Sequence, residues 1–163
     1  MDLHTFLVLG HVIGTAMGLG GSIVAEAQIR KAIEDGNIEN DERALMHANY
    51  FLIRVGLALV IVSGLALMWW FLLQGNDWVL KSQKLWVKDI MVVAIIINAV
   101  AISKRFVPLW LGSAISLGSW LWATILGIWR TPYSFWPLMA GYVILVALVA
   151  VLLYFYGKFS SRA

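Results

Sequence analysis

The sequence predicts an all-α, polytopic integral membrane bundle of about five transmembrane helices, with the amino terminus outside and the carboxyl terminus inside. Three observations predict it. Of 163 residues, 61% are hydrophobic and only 13% charged, and mean hydropathy is strongly positive. A soluble domain of this length has no interior large enough to hide that much apolar surface. Uncharged stretches of about 20 residues, the length that crosses a bilayer as helix, recur along the whole chain. Finally, Lys and Arg gather in the short segments between those stretches, where orientation signals belong. The whole chain, 1–163, reads as a single transmembrane domain with the lipid bilayer as its solvent.

The first span covers about 3–28. It lacks a basic leader, carries His4 and His11 and runs too long for a secretory signal, so it is expected to be a mature helix. A charged segment from Arg30 to Arg43 follows, with Asp35, Gly36 and Asn37 favouring a turn. The second span, about 50–73, has an amphipathic lead-in from Glu42 and ends at Gln74, Gly75, Asn76 and Asp77. The third, about 85–103, closes at Lys104, Arg105 and Pro108. The fourth, about 109–129, turns at Thr131 and Pro132 into the fifth, about 135–156.

Arg30, Lys31, Arg43, Lys104, Arg105, Lys158 and Arg162 fall on one side of this arrangement; Lys81, Lys84 and Arg130 fall on the other. The richer side is expected to be cytoplasmic, in a bacterial inner membrane. Trp69, Trp70, Trp78, Trp86, Trp129 and Trp136 gather near the opposite boundary, where an apolar ring and a polar N–H both find their solvent.

Several function classes are excluded. The net charge of +3 comes from loop residues and forms no basic groove for nucleic acid. Cysteine is absent, which removes disulfides, iron–sulfur clusters and thiolate metal sites. A metal would need nitrogen, oxygen or thioether ligands. No phosphate loop, H-E-x-x-H motif or nucleophile–base pair argues for a hydrolase.

What stands out is the polar face of the first span. At 100° per residue, His4, His11, Thr15, Gly18, Ser22 and Ala25 share a narrow stripe, flanked by Gly14 and Glu26. Gly10, Gly14 and Gly18 form a small-xxx-small series that admits a neighbouring backbone. Close packing explains the glycines but not the imidazoles. An ionisable or ligating group inside the membrane costs a few kcal/mol and has a partner or a function. His11 therefore has three readings: an imidazole hydrogen-bonded across the bundle, a haem or metal ligand, or a proton relay. His4, seven residues earlier and so about 10 Å away along the axis, cannot share an ion with it.

The third span opens with Lys81, Lys84 and Lys88 on one face and Asp89 beside them. Lys88 and Asp89 reach the depth of His11, as a neutralising pair or as an anchor for an anionic ligand such as a haem propionate. Met91, one turn on from Lys88, reads as a core residue or a thioether ligand. Towards the other end, Glu26, His47 and Arg54 are expected to form a structural polar cluster between the first two spans.

The run from His11 to Gly20 and Gly21 resembles the first-helix pattern of the copper-resistance D family and its relatives, a histidine followed nine and ten residues later by paired glycines. The third span, from Lys84 and Lys88 to Asn98 and the exit Lys104, Arg105 and Pro108, is similar to that group's lysine-headed, proline-terminated helix. HemJ-type protoporphyrinogen oxidases share the scheme of a first-helix histidine, a glycine deep in the second helix, here Gly64, and a lysine opening the third. The resemblance covers roughly residues 4–108. It implies a ligand role for His11 and a functional role for Lys88 in a haem-b or copper site. Where HemJ-type proteins carry a Pro-Arg pair near the end of the first helix, this sequence has Glu26, Ala27 and Gln28, so the likeness is to the superfamily rather than to the oxidases.

Three functions are open to this sequence. In the first, the protein binds haem b in the outer half of the bundle and is redox-related, any enzymatic chemistry being that of a haem-dependent oxidoreductase; His11 ligates iron, Gly14 and Gly18 leave room for the macrocycle, and Lys88, with Asp89 beside it, meets a propionate. In the second, His11, His4 and Met91 pass copper through the bundle. In the third, the chain is a structural or accessory subunit without a cofactor. A second copy of the chain or a membrane redox partner would be its protein partner.

Overall fold

The computed structural model describes residues 2–34 and 39–160, and they form helices: α1 (Leu3–Glu34), α2 (Asn40–Leu73), the single turn α3 (Trp78–Lys81), α4 (Gln83–Ser103), α5 (Leu109–Ile128) and α6 (Phe135–Ser160). There is no strand among the described residues. All but α3 are long and apolar enough to cross a membrane. The protein is an all-α bundle of the kind that lipid, not water, surrounds. Its outward faces carry Val62, Leu73, Ile97, Ile128, Trp136 and Leu152, each more than 60% exposed. In water that surface would be untenable; in hydrocarbon it is the ordinary boundary.

The helix ends depart from the sequence-based boundaries chiefly at the charged hairpin. Asp2 starts α1 by accepting the Thr5 N–H (3.0 Å), and the helix runs to Glu34, past the expected end at 28. The second helix begins at Asn40 rather than at 50, with the Glu42 carboxylate reaching back to the Glu39 N–H (3.3 Å). Lys31 and Glu42 then bridge the two helices at 2.9 Å. Charge content suggested a loop here, but Arg30, Lys31 and Glu34 lie on the end of α1 and Asp41, Glu42 and Arg43 on the start of α2, because charged side chains suit a solvated helix end as well as a loop. The expected turn at Asp35, Gly36 and Asn37 lies outside the described residues, as does Arg162. Gly75, at φ +74°, ends the second helix as expected, because only glycine takes that conformation freely.

Successive long helices run antiparallel. Helix α1 packs most extensively on α2, and α5 is the hub, touching α1, α4 and α6. Small residues on α5 make this possible. Gly112 lies against Ile102 of α4 and Gly118 against Val146 of α6, so that a Cβ at either would collide. One core layer joins Val87 and Met91 of α4 to Leu126 of α5 and to Leu138 and Tyr142 of α6. A second joins Val60 of α2 and Ile95 of α4 through Trp120 of α5. Polar side chains stitch the helices across the apolar layers. Asn49 Nδ2 donates to the Gly21 carbonyl (2.9 Å), Asn98 Nδ2 to the Gly112 carbonyl (2.8 Å), and the Ser119 and Tyr142 hydroxyls pair at 2.8 Å.

Candidate functional site

His11 projects from α1 towards the α2 seam. Its Nδ1 lies 3.0 Å from Ser63 Oγ, and Gly64, next to that serine, leaves the space in which the ring lies: a Cβ there would stand 3.3 Å from His11 Cε1. Ser63 also hydrogen-bonds the Leu59 carbonyl one turn back, and the Val60 carbonyl is 3.4 Å from the same hydroxyl. A serine has one proton, and here a backbone carbonyl takes it. The hydroxyl oxygen is therefore the acceptor, and His11 Nδ1–H the donor. In a neutral ring that arrangement puts the hydrogen on Nδ1 and the lone pair on Nε2, for which no hydrogen-bond partner is present among the described residues. Thr15, one turn on, donates to the His11 carbonyl (2.8 Å) and so keeps its own hydroxyl within α1.

Lys88 of α4 is half-buried, and its charge reaches the His11 ring. The sequence placed these two residues at one depth, and the tertiary structure brings them within electrostatic range. Asp89 does not complete a pair. It lies at an exposed position on α4, and no ion pair joins it to Lys88. Consecutive residues on a helix point about 100° apart, so the carboxylate is carried away from the face that Lys88 presents.

The glycines do something other than hold a macrocycle. A Cβ on Gly14 would stand 2.8 Å from the Gly56 carbonyl oxygen and 2.9 Å from Leu59 Cβ, both on α2. Gly18 meets a different neighbour: the benzo edge of the Trp120 indole, 2% exposed, occupies the space that a Cβ would need. The room beside Gly14 and Gly18 is filled by protein. This corrects the expectation that they leave space for a flat cofactor, and the reason is that two helices and a tryptophan reach that face first.

The remaining candidates fall in separate environments. His4 lies edge-on to Phe71 (5.7 Å between centroids), which in turn meets Trp78. Met91 is fully buried among apolar side chains of α4, α5 and α6. His11, His4 and Met91 therefore make no common ligand set. Among the described residues no three His, Asp or Glu side chains gather as a metal site. Glu26 does not join His47 and Arg54. It pairs within its own helix with Arg30 at 2.8 Å, and the Arg30 guanidinium lies over the Tyr156 ring of α6 (4.1 Å to its centroid). His47 and Arg54 occupy exposed positions on α2. An i,i+4 pair forms inside one helix with no dependence on packing, which is why it takes precedence over the cross-helix cluster.

Sequence reasoning missed Ser63 and Trp120. Ser63 had a signal, since a serine beside Gly64 interrupts a Leu- and Val-rich run. Trp120 had none. The fold and this site define a polytopic α-helical membrane protein with one histidine hydrogen-bonded across the α1–α2 seam in its amino-terminal half. The chain shows no significant match to a family model, a curated protein or a solved structure.

Proposed function

We propose that this protein binds haem b through His11 and serves a membrane redox reaction, in electron transfer or as a haem-dependent oxidoreductase. The observation that carries the reading is the Ser63 hydrogen bond. A metal-ligating histidine ordinarily donates its second ring N–H to an oxygen, which fixes the ring and leaves the other nitrogen free to ligate. The 3.0 Å contact of His11 Nδ1 with Ser63 Oγ supports such an arrangement, in which Nε2 would be the ligating nitrogen. Lys88 supplies a positive charge within reach of the ring and suits a propionate. The donors fit the group; the glycine cradle does not, so the cofactor would be held at the Nε2 edge and not beside Gly14 and Gly18. Bound haem would supply one-electron chemistry, and the protein's part is to ligate, orient and balance charge. The likeness to the copper-resistance D and HemJ-type superfamily, and a place in a bacterial inner membrane, belong to this proposal.

A structural subunit without a cofactor is the second reading, favoured by the complete use of Gly14 and Gly18 in packing. Visible spectra of the detergent-purified protein, oxidised and reduced, separate the two. Haem loading gives a sharp Soret band that His11→Ala abolishes and His4→Ala leaves in place. No Soret band after expression with ample haem, or a band indifferent to His11→Ala, refutes the proposal.

A further inference from the structure

The first turn of α4 is fastened to the connection between α5 and α6. Lys84 Nζ donates to the Trp129 carbonyl (2.7 Å), and Gln83 Oε1 accepts the Phe135 N–H at the start of α6. This fastening holds Lys84 beside Arg130, whose charge acts on it, and Lys84 in turn acts on Lys88 one turn deeper. Carboxylates do not balance the pair. Asp77 is engaged by Lys81 at 2.9 Å, and Asp89 acts on Lys88 from an exposed position. Among the described residues neither Lys84 nor Arg130 forms an ion pair.

Backbone anchoring thus keeps two cations together against their repulsion, at the end of the bundle where Trp129 and Tyr133 stack edge-on (5.8 Å between centroids). Aromatic side chains of that kind mark headgroup depth. The donors are also available. An ammonium has three N–H groups, of which the Trp129 carbonyl uses one, and a guanidinium has five. The α6 amino terminus is not part of the site, because Gln83 already satisfies its first N–H.

We propose that Lys84 and Arg130 bind a phosphate-bearing anion at the membrane surface, either an anionic phospholipid headgroup or a soluble phosphate. The site stands apart from His11 and does not rest on the haem reading.

The full chain, delipidated in non-ionic detergent, is titrated with phosphatidylglycerol or with phosphatidylcholine and read by native mass spectrometry. Phosphatidylglycerol is expected to bind the wild type in preference to phosphatidylcholine. Lys84→Gln/Arg130→Gln should weaken that binding by about 30-fold, as removal of two interfacial charges implies. Lys84→Arg/Arg130→Lys keeps the charges and should keep the binding. Lys104→Gln/Arg105→Gln, at the opposite end, and His11→Ala should both bind as the wild type does. Inorganic phosphate that displaces the lipid, or raises the thermal stability of the wild type but not of the double Gln variant, identifies the soluble source. Phosphate without either effect identifies the headgroup. The proposal is overturned if the wild type shows neither a phosphatidylglycerol preference nor a phosphate effect, if the double Gln variant keeps the preference, or if the Lys104/Arg105 variant loses it equally.

Discussion

Gly14→Ala tests whether the first-helix glycines serve helix packing or a cofactor. The added methyl would stand 2.8 Å from the Gly56 carbonyl oxygen, 2.9 Å from Leu59 Cβ and 3.0 Å from Val60 Cγ2. Comfortable carbon contacts begin near 3.5 Å, so α1 and α2 must part by roughly half an ångström, and the seam loses part of its dispersion energy along its length. Overpacking of this kind costs about 1–3 kcal/mol, while replacing a helical glycine returns up to about 1 kcal/mol. The obstacles are a backbone oxygen and a Cβ, which cannot rotate aside, so the net loss should be about 2 kcal/mol.

Gly56→Ala meets the same seam from the other side, with the Gly14 carbonyl oxygen at 2.8 Å and Gly18 N at 2.9 Å. The double variant should cost less than the sum, because helices already parted accommodate the second methyl. Gly20→Ala is the control: nothing lies within 4 Å of its Cβ, so it should be neutral or stabilising. The assay is reversible unfolding of cofactor-free protein in mixed micelles or bicelles. If Gly14→Ala and Gly56→Ala are as harmless as Gly20→Ala, the packing argument fails. If Gly14→Ala leaves that stability intact and lowers haem loading, the glycines serve a cofactor after all.

Ser63→Ala removes the acceptor that fixes the His11 ring. It should cost about 0.6 kcal/mol of stability, as interhelical hydrogen bonds in membranes do, and weaken haem retention by about 10–100-fold. Nitrogen-15 NMR of wild-type His11 should show the proton on Nδ1; a proton on Nε2 at neutral pH sinks the tautomer assignment. Glu26→Ala should destabilise the protein by about 1–3 kcal/mol by stranding Arg30 against Tyr156, and the Glu26→Ala/Arg30→Ala pair should recover part of that loss. A Glu26→Ala variant with wild-type unfolding behaviour would show that the pair contributes nothing.

Much of the architecture is legible in the chain because hydrocarbon leaves few alternatives. An apolar run must satisfy its backbone internally, so composition and length alone announce the spans. The expected limits of the third and fourth spans lie within two residues of the observed ones. The hairpin between the first two spans was less legible, since charged residues suit a solvated helix as well as they suit a loop. The helical wheel found the face that carries His11, Gly14, Gly18 and Ser22, but a wheel treats one helix at a time. It could not divide that face between two neighbours: Gly14 is set against α2, whereas Gly18 takes Trp120, and Ser22 lies 3.4 Å from Ser116, both on α5. Nor could it foresee that Glu26 would find Arg30 before it found His47.

The sequence by itself determined that this protein is a membrane helix bundle, because hydrophobicity and helical hydrogen bonding are local properties of a chain in lipid. It also singled out His11, because a buried imidazole is conspicuous in an apolar span. The tertiary structure decided which ring nitrogen lies against Ser63, what fills the space beside the glycines, and which lysine stands with Arg130. Those are matters of contact between helices far apart in the chain. Packing and hydrogen-bond direction settle them, and one-dimensional periodicity carries neither.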